Sequence, residues 1–472
     1  MGKFDLRTSI VLILLASCGT LPPEPYGAVP EPAQVEWQQM EYNMFVHFGP
    51  NTFSGMEWGS GTESEDLFAP DSLDCRQWAR TAASAGMKGI IVTAKHHDGF
   101  CLWPAPESTH TVASSAWRGG AGDVLQELSD ACRAEGLKFG VYISPWDRND
   151  PDYGTPAYNG KYVRTLQSVL DGRYGSIFEL WFDGACGEGP GGKRQVYDWD
   201  LFRNTVRSMQ PQTVMFSDVG PGCRWVGNES GEAGFTSWST LSPEGFNPGA
   251  DAPPLDTLRH GNVHGTRWIP SETDVSIRPG WFWRASEQPK SVDELMRIWY
   301  TSVGRNSLLL LNVPPAASGR IATEDSLRLM EFRQQRDALF ARNLADDAKV
   351  TATACRSRRF SQRRLADGRF STFWAVPDGC LTPSFTFLLP ESRTFDCIVL
   401  QEFIPLGQRV YGFRVEAREA GGAWAEIASG TTIGYKRIIP TAEVTASEVR
   451  ISITGAYACP VLCEAGLYKS SP

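Results

Sequence analysis

The chain has 472 residues, of which 42% are hydrophobic and 21% are charged, a composition typical of a globular protein. It is long enough for one large and one small domain, because single hydrophobic cores rarely extend beyond about 250 to 300 residues. The net charge is −9 and no long basic run stands out. This argues against a nucleic-acid-binding protein, since that function requires clustered lysine and arginine.

The first 34 residues are predicted to be an export signal followed by a tether. Lys3 and Arg7 precede an apolar run over 10–16, which is too short to cross a bilayer and is typical of a secretory signal. The run ends at residues 15–18, Leu-Ala-Ser-Cys, which resemble a bacterial lipoprotein box. We therefore expect a signal peptide over 1–17, a tether over 18–34, and attachment to a membrane in the periplasm or at the cell surface through lipid on Cys18 alone. An ordinary signal peptide with an incidental cysteine is the alternative.

Short apolar segments alternate with amphipathic segments of helical length from residue 44 to about 315. The apolar segments are typical of strands buried on both faces: 44–47, 89–96, 139–144, 178–183, 214–217 and 307–313. The amphipathic segments are predicted to be helices: 73–85, 124–134, 162–170, 201–209 and, at the end, 323–343. Parallel strands with helical crossovers form either an open doubly wound sheet or a closed barrel.

A (β/α)₈-like barrel over residues 35–345 is the favoured fold. The alternation continues through residue 313, polar or aromatic residues stand at the C-terminal ends of strands, and no glycine-rich nucleotide motif follows the first strand. Glycine- and proline-rich loops between about 225 and 278 obscure the later strands, so an irregular barrel is expected. Residues 346–472 lose helical spacing and show short alternating strands, 384–389, 397–401, 409–417 and 448–454, which predicts a β-sandwich.

Ten cysteines besides Cys18 show no spacing typical of zinc ligands. Several lie in apolar segments, so buried free thiols are favoured over a disulfide framework. Pairing of Cys459 with Cys463, or of either with Cys355 or Cys380, stays open.

Polar and aromatic side chains stand at the ends of the predicted strands, where barrel enzymes build their active sites. The group comprises His47, His96, His97, Asp98, Tyr142, Trp181 and Asp183 at strand ends, with Glu57, Trp58 and Glu229 in the following loops. Each one alone has a structural interpretation, such as a helix cap for Asp183 or a solvated loop residue for Glu229. Adjacent His96 and His97 would point to opposite faces if extended, which makes a poor metal-ligand pair.

Two carboxylates, several imidazoles and flat aromatic walls are the components of a glycosidase site, which requires no metal or other cofactor. In a retaining enzyme one carboxylate attacks the anomeric carbon and the other protonates the leaving oxygen. Asp183 suits the nucleophile because a rigid strand end fixes it. Glu229, on a longer loop, suits the acid/base.

Three motifs carry a resemblance to a known family: residues 44–49, MFVHFG; 93–100, TAKHHDGF; and 180–184, LWFDG. Together they resemble the α-L-fucosidases of glycoside hydrolase family 29, in order across about 30–315. The resemblance implies that Asp183 is the nucleophile. It also implies that the fucose ring is held by His47, Glu57, Trp58, His96, His97, Tyr142 and Trp181.

The acid/base varies in position across that family. Residues 224–229, RWVGNE, are similar to the subgroup acting on α-1,3/1,4-linked fucose in branched glycans, which gives Glu229 the role and places Arg224 in the substrate site. Glu272, in a second segment similar to that subgroup (268–281), is expected to shape the pocket or the aglycone site. Glu232 and Glu272 are the rivals to Glu229. The expected substrate is a fucosylated oligosaccharide or glycoprotein glycan.

Two other functions stay open at this point. One is a surface glycan-binding lipoprotein whose barrel has lost activity, and the other is a retaining hydrolase of another sugar, such as an α-galactoside. The C-terminal domain resembles galactose-binding-like sandwiches, which either bind sugar or buttress the barrel, and a buttress is favoured.

Overall fold

Eight parallel strands close into a barrel in the computed structural model, which describes residues 21–470. Cys18 and the expected signal peptide lie outside the described residues. The barrel strands are β1 (Tyr42–Val46), β2 (Gly89–Lys95), β3 (Lys138–Ile143), β4 (Ile177–Trp181), β5 (Val214–Ser217), β6 (Cys223–Trp225), β9 (Ser271–Ser276) and β10 (Ser307–Asn312). They follow one another around the barrel as β1-β10-β9-β6-β5-β4-β3-β2. A separate antiparallel pair, β7 (Thr240–Leu241) and β8 (Arg267–Trp268), lies between β6 and β9 in the chain.

Nine α-helices accompany these strands in the described part of the chain: α1 (Pro32–Met40), α2 (Pro50–Ser54), α3 (Cys75–Ser84), α4 (Val124–Ala134), α5 (Pro156–Leu170), α6 (Trp199–Met209), α7 (Leu255–His260), α8 (Val292–Thr301) and α9 (Thr323–Leu339). Aspartates 74, 123 and 198 each cap a helix by accepting a hydrogen bond from the third helical N–H, at 2.9 to 3.0 Å. None of the helices within 21–470 is long and apolar enough to cross a membrane.

The regular alternation of strand and helix breaks between β5 and β6, where residues 218–222 contain no helix. Two neighbouring parallel strands ordinarily need a long connection, because the chain must return from the end of one strand to the level at which the next begins. Here β6 begins beside the end of β5, with Phe216 opposite Cys223, so no return is needed. The barrel is therefore irregular in the region where the sequence pattern was hardest to assign.

The barrel interior is filled with aromatic and aliphatic side chains, and α1 covers its N-terminal end. Trp37 of α1 packs into the cluster formed by Phe45, Tyr142, Trp181 and Phe216. Trp181 stacks on Phe216 with ring centroids 3.4 Å apart. The barrel is thus a packed core that opens at its C-terminal end, as barrel enzymes require.

The C-terminal domain is an antiparallel sheet of seven strands: β11 (Lys349–Ala352), β12 (Trp374–Ala375), β13 (Ser384–Glu402), β14 (Val410–Arg418), β15 (Ala425–Gly430), β16 (Arg437–Ala456) and β17 (Val461–Tyr468). The order is β12-β17-β13-β16-β14-β15, with β11 also paired to β13. The predicted strands 384–389 and 397–401 are parts of one long strand, β13. Register shifts along its pairing with β16 let both strands bend without ending.

The C-terminal domain packs against the N-terminal end of the barrel. Asn306, just before β10, accepts a hydrogen bond from the N–H of Tyr435 at 2.7 Å, and Glu41, just before β1, binds Tyr435 and Lys436. Residues 21–31, which the sequence analysis assigned to a tether, also lie on this domain. The N–H of Tyr26 donates to the carbonyl of Leu406 at 3.0 Å. All ten cysteines among residues 21–470 are free thiols.

Candidate active site

One cavity at the C-terminal end of the barrel collects most of the residues that the sequence singled out. Its wall is formed by Phe45, His47, Glu57, Trp58, His96, His97, Tyr142, Trp181, Asp183, Glu229, Asp274 and Trp281. Strands β1 to β4 supply the floor and one side, and the loops after β1, β6 and β9 supply the rest. The convergence expected from the strand ends is therefore present in the structure.

Asp183 lies two residues beyond β4 and is held from two sides. Its Oδ2 accepts a hydrogen bond from the Tyr142 hydroxyl at 2.9 Å and lies 3.7 Å from Nε2 of His97. Its Oδ1 accepts the backbone N–H of Ala185 at 2.7 Å. Burial, aided by the charge of Asp183, raises the pKa of Tyr142 far above its usual range, so this hydroxyl stays protonated and donates. These contacts fix the orientation of the Asp183 carboxylate.

Glu229 lies at the rim of the cavity, on the loop after β6. Its Oε2 accepts a hydrogen bond from the indole N–H of Trp281 at 3.2 Å. Partial desolvation raises the pKa of Glu229 against this hydrogen bond, and the charges of Asp183 and Glu57 act in the same direction as desolvation. A carboxyl group with a raised pKa suits the acid of an acid and nucleophile pair.

Three imidazoles face the cavity, and burial lowers the pKa of each, that of His47 to about 3. Nδ1 of His47 lies 2.9 Å from Oδ1 of Asn312, and Nδ1 of His97 lies 2.8 Å from the Ser144 hydroxyl. Nδ1 of His96 is buried and has no hydrogen-bond partner among residues 21–470. Neutral imidazoles with a free ring nitrogen suit the hydroxyl groups of a sugar, because each nitrogen either donates or accepts according to its tautomer.

His96 and His97 lie on the same side of the chain, which differs from the expectation for an extended pair. Their ring centroids are 4.3 Å apart, and both rings face the cavity. The reason is that β2 ends at Lys95, after a register shift against β3, and the chain turns immediately afterwards. The alternation of side chains holds only while the strand continues.

Glu57 fixes the wall of the cavity that contains Trp281. Its two oxygens accept hydrogen bonds from the backbone N–H of Trp281 at 3.0 Å and from Nη2 of Arg284 at 2.7 Å. Trp58 is 60% exposed and meets Trp146 edge to face. The loop after β1 therefore positions Trp281, and with it the hydrogen bond to Glu229, while Trp58 stands at the entrance.

Arg224 does not reach the cavity, which corrects its expected place in the substrate site. Its side chain is fully buried, and its guanidinium donates to the backbone carbonyls of Leu258, Ile269 and Trp238. A planar group with five N–H donors suits the fastening of several loops at once. Its neighbour Trp225 points to the other side of the strand, donates to Asp274 at 3.0 Å and lines the adjoining space.

Glu272 is likewise buried beneath the cavity and contacts no open space. Its Oε1 accepts the indole N–H of Trp181 at 2.7 Å. It lies beside Glu179, which accepts the indole N–H of Trp37 at 2.7 Å. Burial raises the pKa of both carboxyl groups, and the charge of Glu179 raises that of Glu272 further. Glu272 thus supports Trp181 from below and does not touch the reacting atoms.

The other rival for the acid/base, Glu232, also lies outside the cavity. It forms ion pairs with Arg259 at 2.7 Å and with Arg305 at 3.3 Å. Among residues 21–470, the one group with donor atoms close enough for a metal ion is Glu179, Cys223 and Glu272 inside the barrel. Burial raises the pKa of each of these three groups, which favours the protonated forms that do not bind a metal ion.

Sequence reasoning missed three residues that shape the site: Asn312, Asp274 and Arg284. Asn312 is the last residue of β10 and accepts from His47 or its backbone while donating to the carbonyl of Trp281 at 2.8 Å. A polar residue ending an apolar strand was a usable signal at Asn312. Asp274 and Arg284 carried no such signal, because five of the six residues of β9 are polar and the loop after it is irregular.

A larger cavity of about 570 Å³ adjoins the first and shares Trp181, Asp183, Glu229 and Asp274 with it. Its far side is formed by residues 249–258, including Pro253, Pro254 and Leu255. The two carboxylates therefore stand at the boundary between a small enclosed space and a wider open one. This is the geometry expected where a terminal unit is cleaved from a larger substrate.

Known proteins resemble this chain over most of its length. A family model described as alpha-L-fucosidase matches residues 26–334. The chain is 46% identical to a protein of Oryza sativa subsp. japonica over 457 residues, 96% of this chain and 87% of the relative. It is 40% identical to alpha-L-fucosidase 1 of Arabidopsis thaliana over 460 residues, 96% and 90% of the two chains. The structure of a Ruminococcus gnavus family 29 fucosidase in complex with fucose matches with a TM-score of 0.89 at 32% identity, covering 96% of this chain and 97% of that one.

The buried pair Glu179 and Glu272 predicts a pH dependence of stability. A carboxyl group whose pKa is raised by folding holds its proton better in the folded state, so its contribution is complete below the unfolded-state pKa of about 4.3 and is lost as pH rises through the folded-state value. We expect Glu272→Gln, which mimics the protonated acid, to reduce the fall in unfolding free energy between about pH 5 and pH 8, by a slope of up to about 1.4 kcal/mol per pH unit. Denaturant titrations at several pH values measure this difference. Glu232→Gln is the control at a half-buried carboxylate outside the barrel interior, and parallel profiles for wild type and Glu272→Gln would contradict the raised pKa of this pair.

Proposed function

The chain belongs to the α-L-fucosidases of glycoside hydrolase family 29, and on this premise we propose that it removes terminal α-1,3/1,4-linked L-fucose from branched glycans with retention of configuration. Family membership confirms the resemblance indicated by the sequence motifs. The observation that carries the mechanism is the oriented Asp183 carboxylate sharing one small cavity with Glu229, whose pKa is raised.

Two displacement steps follow from this geometry. In the first, Asp183 attacks the anomeric carbon of fucose while Glu229 donates its proton to the departing oxygen, which leaves an ester between fucose and Asp183. In the second, the Glu229 carboxylate takes a proton from water as the water attacks the same carbon and releases Asp183. The hydrogen bonds from Tyr142 and Ala185 to Asp183 keep it aligned in both steps.

The remaining wall suits fucose. His47, His96 and His97 are neutral, so they bind hydroxyl groups without adding positive charge beside the oxocarbenium-like transition state. Phe45, Tyr142 and Trp181 supply an apolar surface for the methyl group and the ring face. Fucose bound to the Ruminococcus gnavus relative supports the sugar assignment for this chain.

We predict different losses for the two carboxylates according to the leaving group. Asp183→Asn is expected to abolish release from every fucoside, because no nucleophile remains. Glu229→Gln is expected to lower the rate on a natural disaccharide by about 10²- to 10⁴-fold. On dinitrophenyl α-L-fucoside its first step stays near the wild-type rate, since this phenolate leaves without a proton.

Pre-steady-state and steady-state release of dinitrophenol measure both steps, with Glu232→Gln as the carboxylate control outside the cavity. If Glu232→Gln reproduced the leaving-group dependence and Glu229→Gln did not, the acid/base assignment would be wrong. If the wild type bound fucosylated glycan without cleaving it, a non-catalytic binding protein would replace the proposal.

The linkage preference is supported by the loop that carries Glu229 and by the space beyond it. Residues 224–229 are similar to the α-1,3/1,4 subgroup, and the adjoining 570 Å³ cavity leaves room for more than one further sugar next to the cleaved bond. A branched acceptor presents two sugars around the fucose, whereas an aryl group fills little of this space.

We expect fucose release from a Lewis-type α-1,3/1,4-fucosylated oligosaccharide to exceed release from an α-1,2-fucosylated oligosaccharide, measured as kcat/KM. Leu255→Glu, which introduces charge on the far side of the wider cavity, is expected to lower kcat/KM on the branched glycan more than on an aryl fucoside. Equal losses on both substrates would refute a role for this cavity in linkage choice. Faster hydrolysis of an aryl α-galactoside than of the α-fucoside would overturn the sugar assignment.

We also propose that the chain is exported and anchored to a membrane by lipid on Cys18. The support is the sequence before this residue, a short basic region, an apolar run and a small-residue cleavage site. In a bacterial host, the wild type is expected in the membrane fraction and Cys18→Ser in the fraction extracted without detergent. The proposal fails if both forms fractionate alike.

A further inference from the structure

An arginine-rich segment lies in the C-terminal domain and has no role in the site described above. Residues 356–369 contain six arginines and one aspartate, a local charge of +5 in a chain whose net charge is −9. Such a concentration of charge stands apart from the rest of the sequence, which sums to −14 without it.

The segment is fixed in place by apolar side chains on its inner side. Phe360 stacks on Phe373 with centroids 5.0 Å apart, and Phe373 stacks on Phe403 at 4.4 Å. Leu365, in a short 3₁₀ turn, is buried in the domain core. With the aromatic residues turned inward, the arginines between them are directed outward.

Four of the six guanidinium groups are free to bind a ligand. Arg356 pairs with Asp378 at 2.7 Å and Arg364 with Asp367 at 3.4 Å. The other four are exposed and form no ion pair within residues 21–470: Arg358, Arg359, Arg363 and Arg369. Exposed arginines without carboxylate partners bind phosphate groups well, because the planar fork donates two parallel hydrogen bonds.

The N-terminal chain passes the beginning of this segment, at Arg356. Nε of Arg356 donates to the carbonyl of Leu21 at 2.9 Å, and Arg409 holds the carbonyl of Glu24. Leu21 is 71% exposed. Cys18 is three residues upstream in the sequence, and three residues of fully extended chain span at most about 10 Å.

We propose that this arginine surface docks on the anionic headgroups of a phospholipid bilayer. The electrostatic attraction of basic groups to an anionic membrane falls off within a Debye length, about 10 Å at 0.1 M salt. A lipid on Cys18 would hold the Arg356 end of the segment close to the bilayer. A lipid anchor and a charged surface together would fix the orientation of the protein on the bilayer. A lipid anchor alone would not.

The surface leaves the cavity free. The C-terminal domain contacts the barrel through residues just before β1 and β10, at the end opposite the mouth. Binding of the domain to a bilayer therefore neither covers the cavity nor depends on the reaction that takes place there.

The test uses the unlipidated chain from Gly19 onward, which includes every residue of the described fold. Cosedimentation with vesicles of phosphatidylglycerol and phosphatidylcholine is compared with vesicles of phosphatidylcholine alone. We expect at least roughly tenfold tighter binding to the anionic vesicles, weakened by added salt. Because the whole protein is negative, such binding must come from a local basic surface.

Two variants with equal charge loss locate the binding. In the first, Arg358, Arg359, Arg363 and Arg369 are replaced by glutamine, and binding is expected to be lost. In the second, four exposed arginines elsewhere, Arg133, Arg173, Arg267 and Arg320, are replaced by glutamine, and binding is expected to persist. Thermal unfolding verifies that both variants fold.

Three results would overturn the proposal: no preference of the wild type for anionic vesicles, equal loss of binding in both variants, or retention of binding in the first variant. Binding of the segment to a sulfated polysaccharide or to an oligonucleotide, without binding to vesicles, would also overturn it and assign the surface to that class of polyanion.

Discussion

Closure of the eight parallel strands is the constraint on which the site depends. A closed parallel barrel brings every strand's C-terminal end to one rim, and its interior here is filled from below by Trp37 and the rings of Phe45, Trp181 and Phe216. Side chains that follow β1, β2 and β4 therefore face one another across a floor that is already packed. The cavity is small because the core beneath it is full, and this sets the size of the unit that it holds.

A second layer of polar groups decides how the side chains of the cavity point. Asn312 orients His47, Ser144 orients His97, and the Glu272 carboxyl holds the Trp181 indole. None of these supporting groups brings a positive charge. The carboxylates at the cavity are consequently opposed by neutral imidazoles, so their negative potential acts on the sugar ring as it becomes positive. Loss of a supporting group would therefore misalign the side chain that it holds. It would not add positive charge near the reacting carbon.

Sequence patterns predicted six of the eight barrel strands, all except β6 and β9, and the polar residues at their ends. Both depend on local properties: apolar runs, their length and the polar residue that ends them. How deeply a residue of a strand lies inside the barrel is not a local property of the sequence. Glu272 and Asp274 lie on the same face of β9, yet Glu272 is one step deeper and is enclosed, whereas Asp274 reaches the cavity. Arg224 and Trp225 belong to one motif. Their side chains leave opposite sides of the three-residue strand β6, so Arg224 binds loop carbonyls and Trp225 lines the wider cavity. The bend that merges two predicted strands into β13, and the arginine segment held by Phe360, depend on tertiary packing that spacing alone does not encode.

The positions of the cavity and the C-terminal domain along the barrel axis indicate a supporting role for this domain. The cavity opens at one end of the barrel, Glu41 and Asn306 bind the domain at the other, and the N-terminal chain runs over the domain before it reaches α1. A buttress at the base leaves the loops of the mouth untouched, which agrees with the role favoured from the sequence. Arg356 and Arg409 of the domain hold the carbonyls of Leu21 and Glu24, so a lipid on Cys18 would attach beside the domain and not beside the mouth of the cavity.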